Sequence, residues 1–170
     1  MSEPDYIAYF ENLAHQNKAI GHDPDAGREA FYVVSDDNRS EVEKALKNKL
    51  ALPALLLDQY FDDESTESDN FRQTIQGGFS VVCKVETTGD PASIRDARHQ
   101  ARVIARQILN RVRRDTRMPG SVLYSKSLFM RPENNGEPTP VLVGTTGWGY
   151  GFTWQLPTQI AVDAGDWLDL

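Results

Sequence analysis

The fold of this chain is decided by residues 91–117, which read PASIRDARHQARVIARQILNRVRRDTR. Asp90 followed by Pro91 is a favourable helix start, because a proline in the first turn loses no hydrogen bond. Apolar residues then recur at the helical spacing of ~3.6 residues, which predicts one long amphipathic helix with a buried stripe. The members of this stripe are Ile94, Ala97, Ala101, Ile104, Ala105, Ile108 and Val112.

The same helix carries a second stripe, made of arginine. At about 100° per residue, four side chains fall on one line beside the apolar stripe, namely Arg95, Arg102, Arg106 and Arg113. Arg98 lies in the same segment. A solvated face would be expected to mix in lysine and glutamate. Arginine suits interfaces, because its planar guanidinium pairs with a carboxylate at two points and is weakly hydrated.

Strands are predicted on both sides of this helix. Residues 71–86 predict one long strand with a bulge at the paired glycines Gly77 and Gly78. Residues 122–130 predict a second strand, and another begins near residue 141.

An aromatic row marks the last predicted strand. Trp148, Tyr150, Phe152 and Trp154 alternate with glycine and threonine, so an extended chain places all four rings on one face. The row could be a stacking platform for bases or sugars. We interpret it as the core face of a strand, since each such ring buries about 150–250 Å².

The first seventy residues predict a further set of short elements. Helices are expected over residues 5–18 and 40–50, and strands at 31–34 and at 52–57, the latter buried on both faces. Residues 62–70 contain five carboxylates and no apolar side chain, which predicts a solvated loop. Its acidic members are Asp62, Asp63, Glu64, Glu67 and Asp69.

Charge is distributed unevenly along the 170 residues, whose net charge is −7. Residues 1–90 hold 8 basic and 18 acidic side chains, whereas residues 91–170 hold 10 basic and 7 acidic ones. An acidic protein with one arginine-rich element is a poor candidate for general nucleic-acid binding, because its overall field repels phosphate. It is a better candidate for self-assembly.

No catalytic residue, metal site or cofactor is predicted. Cys83 occupies an apolar-facing position in a strand, where an inert buried thiol is the common outcome. His15, His22 and His99 lie on three separate segments without the spacing of metal ligands. The acidic cluster at 62–69 lacks the EF-hand pattern, and the glycines at 144–151 lack the lysine of a phosphate-binding loop.

Location can be narrowed from composition. No apolar run reaches the ~18 residues that cross a bilayer, so no membrane partner is expected. The first residues lack the basic start and apolar stretch of a secretion signal. A single cysteine forbids an internal disulfide and indicates a reducing compartment.

The arginine stripe and the acidic cluster together suggest an assembly. One chain would supply Arg95, Arg102, Arg106 and Arg113, and the next would supply Asp62, Asp63, Glu64 and Glu67. A protomer with one surface of each sign is what a closed head-to-tail ring requires.

The order of elements resembles the tail terminator proteins of long-tailed bacteriophages and the cap proteins of contractile injection particles. The resemblance covers roughly residues 40–156: a proline-led strand (52–57), the acidic segment, a long strand (71–86), a helix (91–117) and final strands that contain tryptophan. It implies a single α/β (α+β) domain over residues 35–156, with a mostly antiparallel sheet flanked by helices. Residues 1–34 would then be an N-terminal extension, and residues 157–170 an acidic C-terminal tail.

The resemblance also implies a function. Members of this family form hexameric rings that cap the finished tail tube and provide the docking face for the head connector. The partners would be further copies of the chain, the tail tube protein and the head connector or neck protein. The place of action would be the head-proximal end of a virion tail, assembled in the host cytoplasm, and the family has no catalytic residues.

Other functions remain open at this point. The arginines, Arg98 included, could line a lumen through which DNA passes. A module for single-stranded nucleic acid would combine the arginine helix with the aromatic row. A small hydrolase or transferase would need a cleft with perturbed carboxylates, for which no spacing is evident.

Overall fold

The helix predicted at residues 91–117 forms as α3 (Pro91–Asp115), and its apolar stripe packs on a sheet. The computed structural model describes residues 1–34, 39–65, 72–124, 126–130 and 136–157. Asp90 caps α3, because its carboxylate accepts hydrogen bonds from the backbone N–H groups of Ala92 and Ser93. Every predicted stripe residue is buried except the half-buried Ile94, and Leu109 joins them.

Within those ranges the chain contains three helices and seven strands. Besides α3 they are α1 (Glu3–Gln16), β1 (Phe31–Val33), α2 (Arg39–Asn48), β2 (Ala54–Leu57), β3 (Phe61–Ser65), β4 (Arg72–Lys84), β5 (Ser127–Met130), β6 (Glu137–Leu142) and β7 (Thr145–Pro157). The β1–β2 pair is parallel, and the other pairs are antiparallel. The predicted single α+β domain with a mostly antiparallel sheet is therefore confirmed.

The sheet is organised around β4 and β7, which pair from Arg72 opposite Pro157 to Lys84 opposite Thr145. The strand order is β1-β2-β4-β7-β5, with β3 also on β4 and β6 also on β7. The free side of β4 is thus shared by β3 and β2, and the free side of β7 by β5 and β6. Consequently β3 and β6 lie at opposite edges of the sheet.

Helices cover the two faces of the sheet unequally. On one face, α1 and α3 bury Phe79, Val81 and Cys83 of β4 together with the aromatic row of β7. On the other face, a smaller cluster joins Leu46 of α2 to Ala54, Leu56 and Val82. The larger cluster is the main core of the domain.

Residues 1–34 contribute to this main core instead of lying outside it. Tyr6 and Phe10 of α1 are fully buried, and the ring centroid of Phe10 lies 5.7 Å from that of Phe152 and 6.0 Å from that of Trp154. The boundary predicted at residue 34 therefore does not divide the packing. Of the predicted acidic tail, residues 158–170 lie outside the described residues.

The solvated loop predicted at residues 62–70 is wrong for its first part, which forms the strand β3. Its backbone pairs with β4, with Asp62 opposite Ile75 and Asp63 opposite Thr74. An edge strand needs backbone partners on one side alone, so exposed carboxylates are compatible with it. Residues 66–70, and with them Glu67, lie outside the described part of the chain.

The predicted strand at residues 122–130 is shorter than expected. Turns occupy its first part, where Tyr124 N–H donates to the Ser121 carbonyl at 3.0 Å and Lys126 N–H to the Leu123 carbonyl at 3.0 Å. These turns bury Leu123 completely, and β5 begins at Ser127. A single apolar anchor in a turn thus produces the same local pattern as a strand.

The bulge predicted at Gly77 and Gly78 is also wrong, because the β4–β7 register continues through both residues. Glycine is required at these two positions because neighbouring side chains leave no space for a Cβ atom. A Cβ atom at Gly77 would lie 2.6 Å from Tyr6 Oη, and one at Gly78 would lie 2.0 Å from Asp58 Oδ2.

A third close approach, between β7 and β4, yields a prediction. A Cβ atom at Gly147 would lie 2.1 Å from the Val81 carbonyl oxygen, whereas one at Gly149 would lie 3.2 Å from that of Phe79. Gly147→Ala should therefore lower the free energy of unfolding by about 1–3 kcal/mol, since backbone must move. Gly149→Ala, in the same strand and facing the same way, is the matched control and should cost less than ~1 kcal/mol. Urea denaturation measures both, and equal costs would contradict this packing.

Candidate functional site

Four exposed arginines of α3 form what we call the arginine surface: Arg95, Arg102, Arg106 and Arg113. The opposite flank of α3 faces α1, because Asn17 Nδ2 donates to Gln107 Oε1 at 3.2 Å and Tyr9 Oη donates to Asp115 Oδ2 at 3.1 Å. The arginine surface accordingly overhangs β7 and β6. None of its four side chains makes an ion pair within the described residues.

Arg98 is half-buried and has a partner within the chain, and its interface or lumen role stays a prediction. Its Nε donates to Thr146 Oγ1 at 3.1 Å, and Thr146 Oγ1 in turn donates to the Thr139 carbonyl of β6 at 3.1 Å. Thr146 is fully buried. Arg98 therefore fastens α3 to the β6–β7 hairpin and is not part of the arginine surface.

A cavity of about 200 Å³ opens beneath the arginine surface. Its lining consists of Arg102, Arg106, Leu109, Arg113, Gly136, Trp148 and Tyr150. The guanidinium carbon of Arg102 lies 5.0 Å from the centroid of the Trp148 ring, a cation–π contact. Trp148 Nε1 is buried and has no hydrogen-bond partner among the described residues.

The acidic residues lie on β3, and we call Asp62, Asp63 and Glu64 the acidic strand. Asp62 and Asp63 are exposed, and Asp62 Oδ2 accepts a hydrogen bond from Gln73 Nε2 at 3.1 Å. β4 is the neighbour of β3 among the described strands, so the outer edge of β3 faces away from the sheet. The structure thus brings three of the four predicted acidic residues onto one edge.

The arginine surface and the acidic strand lie on opposite sides of the domain. The arginine surface sits over β7 and β6, and the acidic strand is separated from β7 by β4. Within one chain the two surfaces therefore do not neutralise each other. They face outward in different directions, which leaves each available to another molecule.

The prediction that the aromatic row is core is confirmed for its last two rings. Phe152 and Trp154 are fully buried, while Trp148 and Tyr150 are partly buried and pack against the same cluster. The ring centroids of Phe152 and Trp154 lie 4.7 Å apart under α1. The rings of Phe152 and Trp154 are thus inaccessible to a stacking base. Of the four aromatic residues, only Trp148 and Tyr150 line the cavity beneath the arginine surface.

The remaining chemistry-bearing residues have internal roles. Cys83 is buried, and burial raises the pKa of its thiol to about 11, whereas a nucleophilic cysteine needs a lowered pKa. The Nδ1 of buried His22 accepts a hydrogen bond from the backbone N–H of Ala30 at 3.0 Å. The backbone carbonyl of His22 accepts a hydrogen bond from His15 Nδ1 at 2.7 Å. Across the described ranges no group of three or more His, Cys, Asp or Glu side chains could hold a metal ion.

A buried polar group that the sequence did not reveal joins α1 to α3. Asp115 is 8% exposed and accepts hydrogen bonds from Tyr9 Oη and, at 3.0 Å, from Arg111 Nε. Burial, and after it the Asp115 carboxylate, raise the pKa of Tyr9 well above its ordinary value. The i,i+4 spacing of Arg111 and Asp115 is a readable signal for the ion pair, but Tyr9 is 106 residues away in sequence.

Comparison with known proteins gives no assignment: no protein-family model matches the chain, and no curated protein matches it in sequence. Among the described residues there is no helix long and apolar enough to span a membrane.

Proposed function

We propose that this chain is a structural subunit that joins copies of itself into a closed head-to-tail ring. The ring is of the kind that caps the tail tube of long-tailed bacteriophages and joins it to the head connector. The observation that carries the proposal is the position of the arginine surface and the acidic strand on opposite sides of the domain.

This arrangement supports a ring because the two contact surfaces differ. In a two-fold dimer the same patch meets itself, so a dimer formed through one of these two surfaces alone would oppose charges of one sign. When the arginine surface of one copy meets the acidic strand of the next, the pair retains one unused surface of each sign: the acidic strand of the first copy and the arginine surface of the second. Addition then continues in one direction, and it stops when the rotation between copies closes a circle.

Apolar contacts must supply most of the affinity, since an exposed ion pair contributes only about 0–1 kcal/mol. Each charged surface carries an exposed apolar side chain. Val103, 46% exposed, neighbours Arg102 and Arg106 on α3, and Phe61, 57% exposed, precedes the acidic strand as the first residue of β3. The charges would instead set the register between copies and exclude wrong partners.

The tail assignment rests on the resemblance of the element order. On that basis the ring is hexameric, and it contacts the tail tube protein on one side and the head connector on the other. Closing the ring presents a surface that stops further polymerisation of the tube. The subunit would then reside at the head-proximal end of the virion tail.

Charge reversal tests the ring contact. The variant Arg102→Glu/Arg106→Glu should fold and remain monomeric, because its α3 surface now repels the acidic strand. The variant Asp62→Lys/Asp63→Lys should also be monomeric, because its β3 is now positive and repels the arginine surface. A mixture of the two should assemble again, since each reversed surface then meets a complementary one. Sedimentation velocity over a concentration series measures all three samples.

The matched control is Arg114→Glu/Arg117→Glu, which makes the same change in net charge at exposed positions outside the arginine surface. It should assemble as the unaltered chain does. The contact is refuted if the unaltered chain stays monomeric at every concentration, if the control also loses assembly, or if the mixture remains monomeric.

The tail assignment has its own test. An antibody against this chain should label intact virions of the phage that encodes it at one point, the junction of tail and head, in negatively stained micrographs. Labelling along the whole tail would instead indicate a tube subunit. Virions without label would refute the assignment while leaving the ring contact untouched.

A further inference from the structure

The cavity beneath the arginine surface has the composition of an anion site. Three guanidinium groups line it, from Arg102, Arg106 and Arg113, and its described lining includes no carboxylate. Arg102 and Arg106 are one helical turn apart, and Arg113 lies two turns beyond Arg106. Positive charge is thus concentrated around the opening of a recess.

Trp148 supplies a donor that has no acceptor within the part of the chain that the structure describes. Its Nε1 is buried in the wall of the cavity without a hydrogen-bond partner among the described residues. A buried donor left unpaired costs about 1–3 kcal/mol, so such a group calls for an explanation. An oxyanion in the cavity would accept this N–H.

Two further features shape the recess. The cation–π contact with Trp148 holds Arg102 in place before any ligand arrives, which reduces the entropy lost on binding. Gly136 has a φ of +84°, and a Cβ atom there would lie 2.9 Å from Tyr150 Cε1 and 3.3 Å from Trp148 Nε1. A side chain at position 136 would therefore close the space in front of the indole N–H.

We infer that this cavity binds a phosphate group. Three guanidiniums and one indole N–H offer more donors than the two oxygens of a carboxylate can accept, whereas a tetrahedral phosphate presents three or four oxygens. The volume of about 200 Å³ is below the roughly 300–1,000 Å³ of pockets that enclose drug-sized ligands. The site therefore takes the phosphate itself and leaves the remainder of any phosphate ester outside.

This site is additional to the proposed ring contact, although the two share arginines. A neighbouring acidic strand and a bound phosphate would both use Arg102 and Arg106. We therefore expect phosphate to compete with ring closure. Arg95 belongs to the arginine surface but does not line the cavity. A change at Arg95 should therefore leave phosphate binding unaltered.

Calorimetric titration of the full chain tests the site with two probes, inorganic phosphate and a single-stranded oligothymidylate. Arg106→Gln/Arg113→Gln should weaken phosphate binding by about ten-fold or more, because two charge-assisted contacts are lost. Trp148→Phe keeps an aromatic face under Arg102 but removes the N–H, and should weaken binding by roughly 2- to 10-fold. The control Arg95→Gln should bind phosphate as the unaltered chain does. Urea midpoints verify that each variant is folded.

The two probes distinguish the sources of the phosphate. Binding of inorganic phosphate alone indicates a free phosphate ion or monoester. Oligothymidylate binding that inorganic phosphate displaces indicates the backbone of a nucleic acid. Binding of neither probe, or an equal loss of affinity in Arg95→Gln and in the cavity variants, would overturn the inference.

Sedimentation velocity in phosphate-free buffer measures self-assembly independently of phosphate binding. Phosphate binding by a chain that never assembles would support the site and refute the ring. Assembly of a chain that binds neither probe would support the ring and refute the site.

Discussion

The antiparallel ladder between β4 and β7 positions every other part of this domain. It runs without a register shift from Arg72 opposite Pro157 to Lys84 opposite Thr145. On one face it buries the aromatic row beneath α1 and α3, and at its two sides it supports the pairs β2 and β3, and β5 and β6. Glycine permits the close approach, since a Cβ atom at Gly147 would meet the backbone of Val81.

This ladder also fixes where charge appears on the surface. The apolar stripe of α3 must face β4 and β7, so the adjacent arginines are carried over β7 and β6. The acidic strand is the edge partner of β4, on the far side of the ladder. The width of two strands therefore separates positive from negative charge in each copy. A chain that is acidic overall thereby has two contact surfaces of opposite charge. The cavity at Trp148 gives the arginine surface a concave shape.

Features encoded in local periodicity could be predicted from the sequence. The helix α3, its buried stripe, the exposure of Arg102 and Arg106 and the burial of Phe152 and Trp154 all follow from spacings of 3.6 or 2 residues. The strand β3 could not be predicted in this way, because an edge strand is defined by its partner's backbone and not by apolar side chains of its own.

Contacts between distant segments were likewise hidden. Gly77 and Gly78 suggested a bulge, whereas their reason is the position of Tyr6 and Asp58, which lie elsewhere in the chain. Arg98 belonged to the arginine-rich segment, yet it is half-buried and its Nε donates to Thr146, 48 residues away in sequence. The cavity depends on Trp148 meeting Arg102, a contact between residues 46 positions apart that no local pattern reports.

In the proposed ring, the arginine surface of one copy meets the acidic strand of the next. A short bis-maleimide cross-linker tests it in a chain carrying Asp63→Cys and Arg106→Cys with Cys83→Ala. Denaturing gels should show a ladder of linked chains, because each copy offers one cysteine to each neighbour. Either cysteine alone should give dimers at most. A chain that stays unlinked, or the same ladder from a control that pairs Asp63→Cys with Arg114→Cys, would contradict the claim.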